Sequence, residues 1–310
     1  MRRNKKQKPK KGVQKNILGI ASAIILLFIV LTTIFGPLFL NSNPTEINAI
    51  QRLKPPSVEN WFGTDHFGRD IFTRMVYGAQ ISLIVGLATA LITTVIGTVL
   101  GLVTGYFNRI DNILMRIVDG MMAFPAILLA IMLVAALGGN IHNIIIALTF
   151  AYIPIMIRVV RSSTLQLKRM QYVEAAKASG TSNMMILFQH LLPNAITPII
   201  VQGTFIFAEA ILAEAALSFL GVGVQPPIPT WGNILGESRI YLVNAPWYSI
   251  FPGIAIALTV LSLNILGDFF RDSLDPRSMN KKKKKWKKIT VSQTIGQMNS
   301  NNNIKGEVER

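Results

Sequence analysis

The chain contains no cysteine. That excludes disulfides, thiolate metal sites and a cysteine nucleophile. Charge is scarce as well: 15% of the 310 residues are charged, against 51% hydrophobic. This balance is too apolar for an ordinary soluble domain and points to a membrane protein. The histidines, His66, His142 and His190, are too scattered to share one metal. No G-x-x-x-x-G-K-[ST], H-E-x-x-H or G-x-S-x-G occurs. The sequence therefore offers no phosphate cradle and neither zinc-protease nor serine-hydrolase signature. No catalytic residue, metal or cofactor is expected, and the chain reads as one that conducts something or scaffolds something.

What is abundant is positive charge, and it is concentrated at the ends. The net charge is +16, with eight basic residues between Arg2 and Lys15 and seven between Lys281 and Lys288. Basic flanks beside apolar spans follow the positive-inside rule, which explains them better than nucleic-acid binding. A bilayer-crossing helix needs roughly 20 apolar residues. Six stretches qualify, at about 17–40, 80–105, 119–138, 141–160, 197–220 and 249–268. The first follows a basic segment but is far longer than a signal-peptide core. It ends at Asn41-Ser-Asn-Pro44 with no small-x-small site, so it is expected to stay as a helix.

Six spans place both termini on one side, and the basic ends make that side the cytoplasm. The loops agree. Residues 161–196 are basic and opposed only by Glu174, whereas 41–79 balances its charges and 221–248 carries only Glu237 and Arg239. The expected fold is an all-α polytopic membrane protein of six transmembrane helices. It divides into a basic cytoplasmic N-terminus over 1–16, a first helix and outer loop over 17–78, a five-helix core over 79–278 and a disordered lysine-rich cytoplasmic tail over 279–310.

Within the second span, Gly97, Gly101 and Gly105 recur every four residues. On a helix they make a flat stripe that another helix can approach closely. Glu209 and Glu214 lie inside the fifth span. A charge near the bilayer centre costs roughly 2.5–3.5 kcal/mol on insertion scales, so such residues face a cavity or a partner. A pore-lining or gate role and buried pairing with a neighbouring helix both fit them. In the first outer loop, Gly63 and Gly68 flank Asp65 and precede Arg69 and Asp70. This reads as a tight, ion-pair-laced turn leading into a helix capped by Thr64 or Asp65.

The stretch EAAKASGTSNMMILFQHLLPN, Glu174 to Asn194, lies between two apolar spans. Its alanine-rich first half reads as helix, and Gly180 can end that helix with a left-handed residue. Thr181, Ser182 or Asn183 can cap a second helix, with Met184, Met185, Leu187, Phe188 and Leu191 as its apolar face and Pro193 as its limit. A short helix with small side chains suits a groove on another protein. An ordinary interfacial elbow fits equally well.

These residues also carry a resemblance. Glu174-Ala175-Ala176, Gly180 and Leu192-Pro193 match, in type and spacing, the EAA loop of ABC-importer permeases. His190 stands where the general pattern prefers isoleucine, and the peptide and nickel branch commonly has histidine there. Phe62-Gly-Thr-Asp-His-Phe-Gly-Arg-Asp70 and Leu217-Ser-Phe-Leu-Gly-Val-Gly-Val-Gln-Pro-Pro-Ile-Pro-Thr-Trp-Gly232 are similar to the same branch. Over roughly residues 15–277 the chain resembles the second permease subunit of dipeptide, oligopeptide and nickel ABC importers. The resemblance implies a type I importer permease in the bacterial cytoplasmic membrane. Its implied partners are a second, homologous permease, two cytoplasmic ATPase subunits seated on the EAA loop as a coupling helix, and an extracytoplasmic substrate-binding protein. The cargo would be peptides, or nickel or a metal chelate. Asp65, Arg69 and Asp70 then have a second reading, as contacts to the binding protein or the partner permease. The rival reading of the whole chain is a stand-alone secondary transporter or channel.

Overall fold

A computed structural model describes residues 11–40 and 43–274. The expected tail over 279–310 and the first ten residues of the basic N-terminus lie outside the described residues. Among the described residues the chain is helical, and its only strand-like feature is an isolated bridge between Thr64 and Asp70. The long helices are α1 (Lys11–Phe39), α2 (Ile71–Tyr106), α5 (Ile141–Leu167), α8 (Leu192–Phe219) and α10 (Trp247–Leu274). Between them lie α3 (Asn108–Met122), α4 (Ala126–Leu137), α6 (Gln171–Ala178), α7 (Asn183–Met185) and α9 (Trp231–Ser238).

Five of these helices are long and apolar enough to cross a bilayer, and the bent pair α3–α4 makes a sixth if it counts as one span. The expected continuous span over 119–138 is therefore corrected: the helix breaks, and its two pieces meet at 86°. The cause is local. Pro125 lacks an N–H, and its ring drives the preceding residue out of the helical region. Upstream, α3 carries Arg109, Asp111, Arg116 and Asp119 within 15 residues, too polar a segment to cross. Downstream, α4 has 12 residues, about 18 Å of helix, so a crossing of a hydrocarbon core of about 30 Å between the parallel α2 and α5 takes in the residues on either side of it.

Helix α2 contrasts with this. Its 36 residues extend about 54 Å, with no proline inside and a single charged residue, Arg74. The cap at its start is Asp70, whose Oδ2 accepts from the Thr73 N–H at 2.7 Å. The expectation of a cap at Thr64 or Asp65 is thereby corrected. Gly63 and Gly68 adopt φ of +74° and +75° and supply the tight turns ahead of that cap.

Pro193 does not end the second helical phrase of the loop between α5 and α8. Helix runs unbroken over Asn183–Phe219, because the chain widens to a π-helical turn at Ile186–Leu191. A proline ring crowds the carbonyl one turn back, and the wider turn relieves it. The His190 carbonyl then receives the Asn194 side-chain amide at 2.6 Å.

The core forms where α2, α5 and α8 pack on one another, with α4 against α5. The glycine stripe sits in the α2–α5 contact. A methyl group added at Gly97 would lie 2.6 Å from the Cβ of Met156, at Gly101 2.6 Å from the Cβ of Val160, and at Gly105 2.5 Å from the Cβ of Thr164. Both residue series climb by four, so α2 and α5 run parallel with their backbones close together.

Candidate functional site

Polar chemistry gathers at the two ends of α2. At its first residues, Asp65, Arg69, Arg74, Glu237 and Tyr248 form one network. Asp65 Oδ2 accepts from Arg69 Nε at 2.5 Å and from Arg74 Nη1 at 2.6 Å. Its Oδ1 accepts from the backbone N–H groups of Phe67 and Arg69 at 2.7 and 2.9 Å. Arg74 reaches both oxygens of Glu237, at 2.8 and 3.0 Å, while Arg69 Nη2 lies 2.9 Å from Glu237 Oε2. The Tyr248 hydroxyl donates to Glu237 Oε2 at 2.5 Å. Arg74 is 2% exposed and Asp65 fully buried, so two guanidinium groups neutralise two carboxylates out of water.

Burial works to raise Glu237, but the hydrogen bonds and charge of Arg74, then Tyr248 and Arg69, hold it below the usual carboxylate value. Beside it, burial lowers the His66 imidazole, against the opposing pull of Asp65 and Glu237. Ligand atoms of Asp65, His66 and Glu237 come within 4.8 Å of one another. The set does not suit a metal: all four carboxylate oxygens already accept hydrogen bonds, and two fixed cations would repel a third. Asp65 and Arg69 thus meet as the sequence suggests, while Asp70 serves the helix cap. Arg74 and Glu237 are 163 residues apart, so no local pattern in the sequence marks their pairing.

The two glutamates of α8 part company. Glu214 is fully buried and accepts from Ser82 Oγ at 2.9 Å and Ser218 Oγ at 2.8 Å. Ser82 in turn accepts from the Trp231 N–H at 3.3 Å, so Glu214 ties α8 to α2 and to the start of α9. It faces no open surface of this chain, an arrangement that fits the buried pairing. Glu209 is exposed, and the Tyr152 hydroxyl bonds its backbone carbonyl at 3.3 Å, leaving the carboxylate directed outward.

At the last residues of α2 lies the loop 168–191. Val173, fully buried, seats α6 among Ile186, Leu187 and Leu191. The helix closes with paired bonds, from the Gly180 N–H to the Lys177 carbonyl and from the Thr181 N–H to the Ala176 carbonyl, each 3.0 Å. Gly180 has φ +77°, the left-handed residue this closure requires. Ser182 caps the next helix, its Oγ accepting from the Met185 N–H at 3.4 Å. Glu174 and Ala175 are exposed and Ala176 half-buried. The expected apolar face of the second helix splits: Leu187 and Leu191 are buried, whereas Met184, Met185 and Phe188 are 63%, 46% and 56% exposed. Leu192 and Pro193 stand at the start of α8.

Tyr106 closes α2 against this loop. Its hydroxyl bonds Asn183 Oδ1 at 2.6 Å. Its ring meets the ammonium groups of Lys168 and Lys177 at 5.3 and 5.2 Å, and its carbonyl accepts from Lys168 Nζ at 2.6 Å. Burial, then the neighbouring Lys177, lowers the Lys168 ammonium.

Residues 94–280 match the family model described as binding-protein-dependent transport system inner membrane component. Residues 14–56 match the N-terminal TM domain of oligopeptide transport permease C. The chain is 49% identical over 268 residues to the dipeptide transport system permease protein of Alkalihalophilus pseudofirmus, covering 86% of this chain and 88% of that one. It is 48% identical over 223 residues to the glutathione transport system permease protein of Escherichia coli O6:K15:H31, covering 72% and 74%.

Proposed function

Since the chain belongs to the binding-protein-dependent transport system inner membrane components, we propose that it forms part of the pore of an ABC importer for peptides and that its loop over 171–185 seats separate ATPase subunits. Both termini and this loop face the cytoplasm. A second permease completes the pore, and an extracytoplasmic binding protein delivers the peptide to the outer face. ATP hydrolysis takes place on the partner subunits. Nothing in the relatives' names favours nickel over peptide, and a stand-alone secondary transporter has no place in this family.

The observation that carries the proposal is the loop itself. A helix of eight residues, held by one buried valine and closed by a left-handed glycine, presents Glu174 and Ala175 outward beside Met184, Met185 and Phe188. An exposed apolar patch next to small residues and a single carboxylate is a surface awaiting a partner. Glu174 reaches a basic group there, and the small alanines allow the helix to enter a groove. Leu192 and Pro193 lie inside the continuous helix that carries the chain from this loop into the membrane. Glu209, exposed in a membrane-spanning helix, belongs to the face that meets the second permease.

The test uses Glu174→Arg and Gly180→Leu. Both are expected to insert at the normal level, bind the partner permease, lose the ATPases on purification and abolish uptake. Charge reversal turns attraction into repulsion, and breaking a charge pair in a groove costs roughly 2–5 kcal/mol. Leucine at Gly180 meets open space but is strained at positive φ, by roughly 1–2 kcal/mol. Normal uptake by both variants would return the loop to a plain elbow.

A further inference from the structure

Lys168, Lys177 and Asn183 come from three successive parts of the cytoplasmic loop: its entry, the helix α6 and the start of the second helix. All three converge on one side chain, Tyr106, the last residue of α2. The tyrosine is 6% exposed. Its hydroxyl holds Asn183 at 2.6 Å, and its ring is flanked by the two ammonium groups at 5.3 and 5.2 Å. Its backbone carbonyl takes Lys168 at 2.6 Å. Behind it, Gly97, Gly101 and Gly105 lock α2 onto α5, and α2 also packs along α8. Glu174 and Ala175 make none of these contacts and remain outward.

We propose that Tyr106 is the positioning residue through which movement of the cytoplasmic loop reaches the membrane helices. The proposal rests on the reading of that loop as the ATPase seat, and it adds the link that such a seat requires. A partner that shifts α6 shifts Lys177. Tyr106 is gripped by Lys177 and by the residues on either side of α6, so it moves with the loop, and a helix without an internal proline carries the displacement along its length. The hydroxyl–Asn183 bond fixes the direction of the side chain, since a hydrogen bond has angular demands that the cation–ring contacts lack. The cation–ring contacts hold the ring at a given distance while tolerating rotation.

The test compares Tyr106→Phe, Asn183→Ala and the double variant in the fully assembled importer, reconstituted in proteoliposomes with its binding protein. The probe is a radiolabelled dipeptide mixture, and the readout is peptide imported per ATP hydrolysed. A purely structural role would lower the yield of complex without moving this ratio. Tyr106→Phe keeps the ring between the lysines and loses only the hydroxyl. Each single variant is expected to lower the ratio about two- to ten-fold, the span that corresponds to one lost hydrogen bond, with the ATPases still co-purifying. The double variant is expected to fall no further than the worse single one, because both changes remove the same contact. A wild-type ratio in both single variants overturns the proposal, and so does a double variant whose loss is the product of the two. The ATPase seat is scored separately by Glu174→Arg, so loss of the ATPases there with a wild-type ratio in Tyr106→Phe rejects the link alone.

Discussion

The two ends of α2 are built on opposite plans. At the start, two arginines and two carboxylates neutralise one another out of water, with every carboxylate oxygen bonded. At the finish, a single tyrosine collects two ammonium groups and one amide, and the surface beyond it is apolar and exposed. The first end needs nothing further to be complete within the chain. The second leaves methionines, a phenylalanine and a carboxylate facing outward. A closed network resists displacement because each broken bond strands a buried charge. An open surface held at one point can be moved by whatever binds it.

The sharpest way to break this comparison is to show that the two ends do not lie on opposite sides of the membrane. The chain has no cysteine, so single cysteines report cleanly. In right-side-out vesicles, an impermeant maleimide is expected to label Val243→Cys and Ile50→Cys fully and Ala178→Cys not at all until the membrane is opened. Labelling of Ala178→Cys from outside would reverse the assignment of the loop.

The next effect is energetic. Arg74→Met is expected to destabilise the folded chain by about 3–5 kcal/mol, because it leaves the buried Asp65 and the half-buried Glu237 with one cation between them. Thermal unfolding of the purified protein measures it. Replacing Arg74 and Asp65 together, by methionine and leucine, is expected to recover much of the loss, since an apolar pair of similar volume strands less charge. Equal melting of Arg74→Met and wild type would mean that the network contributes nothing.

The smallest expected effect is in pH. His66 sits below its usual value of 6.5 when folded, through burial. It therefore binds fewer protons folded than unfolded, and stability falls as the pH drops below about 6.5. Glu237 has the opposite charge type but also loses stability with acid. Its depressed value keeps its contribution whole above the ordinary carboxylate value of 4.5 and removes it only as the pH falls through the lower folded value. Of these two groups, His66 supplies the slope between the two reference values, and His66→Gln is expected to reduce it in a series of melting curves. A slope unchanged in that variant would assign the acid response elsewhere.

The sequence showed the parts of this molecule that depend on neighbours a few residues apart. Gly180 announces a left-handed helix end because alanines precede it and capping residues follow. Gly63 and Gly68 announce turns in the same way, and the stripe at Gly97, Gly101 and Gly105 announces a close helix contact. Pro125 is visible too, but proline is tolerated inside membrane helices, so its presence alone does not announce the break. Pro193 misled in the other direction, because a π-helical turn absorbs its missing donor where a stop was expected. Thr64 or Asp65 is the expected cap of α2, but the helix begins later, after Asp70, and Asp65 is engaged by Arg69 and Arg74. Arg74 with Glu237 and Tyr106 with Asn183 were not legible at all, since each pair joins residues brought together by the packing of separate helices.

The glycine stripe has one more consequence. Gly97, Gly101 and Gly105 receive Met156, Val160 and Thr164, so one fit is repeated three times at intervals of four residues, about 6 Å along the axis. A repeated fit behaves like a ladder whose rungs are interchangeable: sliding α5 by one rung brings the next residue of its series to the same kind of notch. The stripe thus sets how near the two helices lie and is nearly silent on their register. Register comes from features that occur once. At the far rung these are Lys168 on the Tyr106 carbonyl and Asp111 on Arg161, unrepeated pegs that pin a periodic rail.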